Sequence, residues 1–134
     1  MKPNILVDTS SWIEFFNIPD SKSGGIIKKL LLDNTVVTAG IVLTELLQGA
    51  KMKEEFDSIL ENMTALPMLK TTTHTWIEAG RISFVLRRKG ITIPTTDLII
   101  ASLAVENECH ILTLDPRFNK IPGIMLYKTT GSRT

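Results

Sequence analysis

The sequence predicts an α/β domain: a central parallel sheet of four to five strands with helices on both faces. Short apolar runs alternate with longer segments of helical spacing, the pattern of strand–helix–strand units. The runs "ILV" and "ILTL" are apolar on consecutive residues rather than alternate ones, as strands covered on both faces are. A chain of 134 residues, 43% of them hydrophobic, suits one compact core.

The elements follow in order. "NILVD" is the first strand. "SSWIEFFN" is a short helix, capped by Ser10 or Ser11 with Glu14 near the capping-box position. "SKSGGIIKKLLLDN" is a second helix, with Ile26, Ile27, Leu30 and Leu31 at helical spacing. "TVVTA" is strand 2, and "IVLTELLQGAK" a helix that Gly49 ends. "KEEFDSILENM" is a fourth helix. "ALPML" is a weak third strand, and Pro67 argues for a place at the sheet edge. "HTWIEAGRISFVLRRKG" is a long helix closed by Gly90, with Trp76 and Phe84 on one face and directed to the core. "TDLIIASLAVENE" is apolar nearly all round, hence deeply buried. "HILTLD" is strand 4 and "IMLYK" a fifth. One domain is expected over residues 1–128, with a flexible polar tail at 129–134.

Composition excludes several classes. A net charge of +1 argues against a strongly basic nucleic-acid coat protein. A single cysteine, Cys109, rules out an internal disulfide and fits a reducing compartment. His74 and His110 are too few and too scattered for a zinc site. The N-terminus carries no secretory pattern, and the longest apolar run, around Leu98 to Val105, falls short of the roughly 20 residues of a membrane span. A cytoplasmic protein with no membrane partner is therefore expected.

The acids carry the chemistry. In open parallel sheets ligands bind beyond the carboxyl ends of the strands, where strand order reverses. Asp8 ends strand 1 and Asp115 ends strand 4; if those strands are neighbours, both point at one crevice. Asp97 opens the apolar helix, and Glu45 lies in the helix after strand 2. Each has an ordinary reading: Asp8 as a cap, Asp97 as a complement to the helix dipole, Asp115-Pro116 as turn chemistry, Glu45 as a solvated residue. Four acids at one sheet edge, however, repel one another unless a cation is present. A hard ion such as Mg²⁺ or Mn²⁺ takes oxygen ligands, and one or two such ions suit hydrolysis of a phosphodiester by an activated water.

The stretches "VDTSSWIEFF", "TELLQG", "TTDLIIASLA" and "ILTLDPRF", in this order, resemble the PIN-domain family, most closely the VapC-type ribonuclease toxins of toxin–antitoxin pairs. The resemblance runs from Ile5 to Phe118 and implies a PIN-like sandwich. It implies that Asp8, Glu45, Asp97 and Asp115 are the catalytic and metal-binding set. Thr9, Ser10, Thr96 and Thr113 would orient them, although capping explains Thr96 equally well. It further implies a metal-dependent endoribonuclease, a homodimer, and a small DNA-binding antitoxin lying along the first helices, around Trp12, Phe16 and Ile27. Many relatives carry a further Asp two residues after Asp115, where this chain has Arg117; the make-up of a second metal site therefore stays open.

Basic residues must flank a negative pocket that takes RNA. Arg117, nearest the predicted crevice, is the first choice for a phosphate contact. Arg87 and Arg88 are others, although a cationic helix end explains them as well. Competing readings are a PIN nuclease of RNA processing or of DNA, and a non-catalytic Mg²⁺-binding signalling domain. A receiver domain needs a phosphoacceptor Asp after a middle strand, but "LPML" ends in Lys70. A phosphatase with an aspartate nucleophile has a second Asp two residues after the first, where this chain has Ser10.

Overall fold

The computed structural model describes residues 2–128; the tail expected at 129–134 lies outside them. The chain runs β1 (Ile5–Val7), α1 (Thr9–Asn17), α2 (Lys22–Leu32), β2 (Val36–Ala39), α3 (Gly40–Gln48), α4 (Lys53–Thr64), β3 (Met68–Leu69), α5 (Thr73–Arg88), α6 (Thr95–Glu106), β4 (His110–Leu112), a 3₁₀ turn (Pro116–Lys120) and β5 (Met125–Leu126). The five strands form one sheet in the order β3-β2-β1-β4-β5, and every pairing is parallel. Strand order reverses beside β1, so β1 and β4 are central neighbours, as the position of Asp8 and Asp115 required. Helices α1–α4 lie in crossovers running one way across the sheet, and α5–α6 in the crossover running back. Right-handed connections carry the two groups to opposite faces.

The consecutive apolar runs are the buried strands: Ile5, Leu6, Val7, Ile111 and Leu112 are all in the core. The nearly uniform apolarity of α6 has the same cause, since every residue from Asp97 to Ala104 is buried. β3 is a two-residue edge strand, as Pro67 predicts; the Pro67 carbonyl accepts from the Thr38 amide at 3.0 Å. Gly90 ends α5 with φ +79°, and the Gly90 and Ile91 amides close on the carbonyls of Arg87 and Leu86 at 3.0 Å each.

Two expectations are corrected. Trp76 and Phe84 are not core: they are 55% and 58% exposed, and α5 turns Thr75, Ala79 and Leu86 inward instead. Neither Ser10 nor Ser11 caps α1. The helix starts at Thr9 with Asp8 in the cap position, and no side chain bonds its free amides. The Asp8 carboxylate is thereby left for other work.

Candidate active site

Asp8 lies one residue past β1, and its amide donates to the Leu112 carbonyl at 2.8 Å, continuing the β1–β4 ladder. That ladder brings Thr113 to the side of Asp8. The Thr113 hydroxyl donates to Asp8 Oδ2 at 2.7 Å, and the Ser10 hydroxyl donates to the same oxygen at 2.9 Å. Each hydroxyl is held in turn by a backbone amide: Asp115 N–H donates to Thr113 at 2.9 Å, and Leu114 N–H to Ser10 at 3.0 Å. Both hydroxyl protons are thus committed to Asp8, and the 3.3 Å approach of Ser10 to Thr113 is a contact rather than a bond. Oδ1 of Asp8 makes no hydrogen bond to the described residues. On the other side, α1 and α3 pack together, and the Thr9 hydroxyl donates to Glu45 Oε1 at 2.6 Å.

Asp97, in the first turn of α6, is 8% exposed. Its Oδ2 is buried without a hydrogen-bond partner among the described residues. The nearest cation, Arg117 Nη2, lies 3.7 Å away, an ion-pair distance too long for a hydrogen bond. Burial foremost, then the charges of Asp8 and Asp115, push the Asp97 pKa up to about 6; Arg117 opposes the shift and Glu45 adds to it. Three other carboxylates therefore act on Asp97, so the four acids form one electrostatic cluster.

Asp115 opens the 3₁₀ turn. Its Oδ1 accepts from the Arg117 amide at 2.9 Å, the Asx geometry of a carboxylate bonded two residues on. The same carboxylate takes Arg117 Nε at 3.1 and 3.0 Å and Nη2 at 2.6 Å. These bonds hold the Asp115 carboxyl below the usual carboxylate range and bind the Arg117 proton more tightly. Arg117, expected on the RNA backbone, is thus seated on two acids. The Asp-Pro-Arg order carried a signal for it, since an Asx turn brings the residue two positions on back over the carboxylate.

Other expected residues stand apart from this cluster. Thr96 makes no side-chain hydrogen bond among the described residues. Arg88 lies over the Phe84 ring at 4.0 Å, and Arg87 Nε bonds Ser83 at 3.3 Å. Arg87 also lines a cleft of about 330 Å³ with Trp76, Phe84 and Thr95, two residues from Asp97. Ile27 is fully buried and Trp12 is 2% exposed, so neither offers the open face expected of it. The Trp12, Phe15 and Phe16 rings cluster with centroids 5.4–5.9 Å apart and line a groove of about 460 Å³ with Leu31, Ser58 and Asn62. A recess of about 250 Å³ is lined by Phe16, Glu45 and Lys51 among others.

The donor set suits a hard divalent cation: carboxylate oxygens only, one of them a buried oxygen without a hydrogen bond. Among the described residues no three His, Cys, Asp or Glu side chains stand close enough to grip an ion directly. Mg²⁺ does not require that, because it keeps several waters and is usually bound by one or two carboxylates.

Comparison with known proteins bears on the fold and the family. Residues 5–124 match the model of the PIN domain. The ribonuclease VapC2 of Rickettsia felis is 29% identical over 127 residues, covering 90% of this chain and 94% of that protein. A VapC ribonuclease of Mycobacterium bovis is 27% identical over 124 residues, 90% and 92% of the two chains. The crystal structure of VapBC2 from Rickettsia felis, bound to a fragment of its promoter DNA, superposes with a TM-score of 0.79 at 26% identity, over 92% of this chain and 96% of that one. Fold, element order and family match coincide, and the chain belongs to the PIN-domain family.

Proposed function

We propose that this chain is a divalent-metal-dependent endoribonuclease and the toxin of a toxin–antitoxin pair. The observation that carries the reading is the set of contacts beyond the carboxyl ends of β1 and β4: Thr113 joins Asp8 to the Asp115 backbone, Arg117 joins Asp115 to Asp97, and Thr9, next to Asp8, bonds Glu45. Its relatives bearing the name ribonuclease support RNA as the substrate. Asp8, Glu45 and Asp97 would hold Mg²⁺ or Mn²⁺, one or two of them directly and the rest through water, with Asp115 completing the cluster. When bound, such an ion supplies an acidified water for in-line attack at phosphorus and stabilises the leaving oxygen. Thr113 and Ser10 fix Asp8, and Thr9 fixes Glu45, so these carboxylates keep their orientation as substrate arrives. Arg117 has N–H donors to spare for a phosphate oxygen.

The VapBC2 neighbour on promoter DNA supports a small DNA-binding antitoxin as partner. The groove beside Phe15, Phe16 and Leu31 is the surface we assign to it. Phe16 borders both that groove and the Glu45 recess, so a segment lying along it reaches the acidic cluster. The expected homodimer is assigned to the exposed apolar side of α5.

The test is incubation of the purified chain with single-stranded RNA, structured RNA and DNA of the same sequence, in Mg²⁺, in Mn²⁺ and in chelator. RNA cleavage is expected with an ion and not in chelator, and Asp8→Asn and Asp97→Asn should each abolish it with the fold intact. Cleavage by the double variant at the wild-type rate would overturn the reading, and cleavage of DNA alone would reassign the substrate.

A further inference from the structure

We infer that Arg117 is a built-in cation of the acidic cluster, so that the Asp115 side takes no metal and the site binds one divalent ion per chain, on the Asp8–Glu45 side. The inference rests on the metal-dependent reading above and concerns how many ions that reading requires.

The geometry supports it in three ways. Both oxygens of Asp115 are already engaged: Oδ1 by the Arg117 amide and Nε, Oδ2 by Nε and Nη2. An ion on Asp115 would have to break a fork of charge-assisted bonds, the stronger kind. Next, Nη2 stands between the two carboxylates, 2.6 Å from Asp115 Oδ2 and 3.7 Å from Asp97 Oδ2. An ion bridging those oxygens at the ~2 Å typical of Mg²⁺ would need the space the guanidinium fills. Finally, the backbone tethers the cation in place. Pro116 presets φ at the start of the turn, and the Arg117 amide bonds the carboxylate its side chain grips. Asp8 Oδ1 and Glu45 Oε2, by contrast, make no hydrogen bonds among the described residues and carry no guanidinium fork. The charge of Arg117 is permanent, so the neutralisation does not lapse with pH.

Counting bound ions tests this without reference to cleavage. Mn²⁺ is titrated into the wild type and Arg117→Asp, followed by calorimetry and by electron paramagnetic resonance. One ion per chain is expected in the wild type and two in Arg117→Asp. Two ions in the wild type, or one in both chains, overturns the inference while the nuclease reading stands. No ion in either chain defeats that reading as well. A second variant guards against misfolding: Arg117→Ala should melt below the wild type in chelator, and saturating Mn²⁺ should narrow the gap. Equal melting in chelator would mean that the guanidinium neutralises nothing, and would also overturn the inference.

Discussion

Asp97 sets burial against ionisation. A carboxylate with a pKa of about 6 in the folded chain, against 3.8 ordinarily, keeps its proton when the unfolded chain has released it. Between about pH 4 and 6 the folded state binds more protons, so stability falls as pH rises through that window and stays reduced above it. Asp97→Asn removes the loss. In metal-free buffer at pH 7.5 the variant should be more stable than the wild type by on the order of 1–3 kcal/mol, and the difference should close by pH 4. Urea unfolding at the two pH values measures it; an unchanged difference would contradict the assignment. Thr113 belongs to the same scale. Thr113→Val removes the donor to Asp8 and the acceptor for the Asp115 amide, and should lower cleavage about 10–100-fold while Thr113→Ser retains it. Rates for the two variants, with circular dichroism to check the fold, decide the point.

Among the elements, α2 offers a matched pair of glycines. Ser21 caps it, accepting from the Gly24 amide at 3.0 Å. A Cβ on Gly24 would sit 2.8 Å from the Pro19 carbonyl carbon and closer still to its oxygen, whereas one on Gly25 would meet nothing within 4 Å. Gly24→Ala should therefore cost about 1–3 kcal/mol by overpacking, and Gly25→Ala should add up to about 1 kcal/mol through helix propensity. Thermal melts of the two variants should move in opposite directions. The elements were largely legible in the sequence, because a central strand needs apolar residues on both faces and an edge strand tolerates proline. Which face of a helix is covered was less so: the spacing of Trp76 and Phe84 says that they share a side of α5, not that α6 lies on the other. Asp8 was legible as an acid at a strand end. Its freedom from capping was not, because Thr113, which binds it, arrives 105 residues later. Arg117 was read as a phosphate contact because charge alone does not reveal that a turn folds it back onto Asp115.

For the whole molecule, ion binding and self-association are the measurable consequences. A ligand that binds only the folded state stabilises it by about 2.7 kcal/mol at a hundred times its dissociation constant. Saturating Mn²⁺ should therefore raise the wild-type melting temperature by several degrees and leave Asp8→Asn/Asp97→Asn unmoved. An equal rise in both would place the ion elsewhere. If the exposed side of α5 joins two copies, Trp76→Glu/Phe84→Glu should shift the mass measured by light scattering from dimer to monomer, with its circular dichroism unchanged. A dimer that survives both changes would rule that face out.

The position of β1 has a consequence for synthesis. The strand is synthesised well before β4, yet its central place is completed only when β4 follows, with Thr113 arriving 105 residues after Asp8. Until then Asp8 lacks Thr113, and neither Asp115 nor Arg117 exists. A polypeptide terminated before β4 cannot assemble the cluster, so a cell translating this message meets the finished site only after Arg117 has been added.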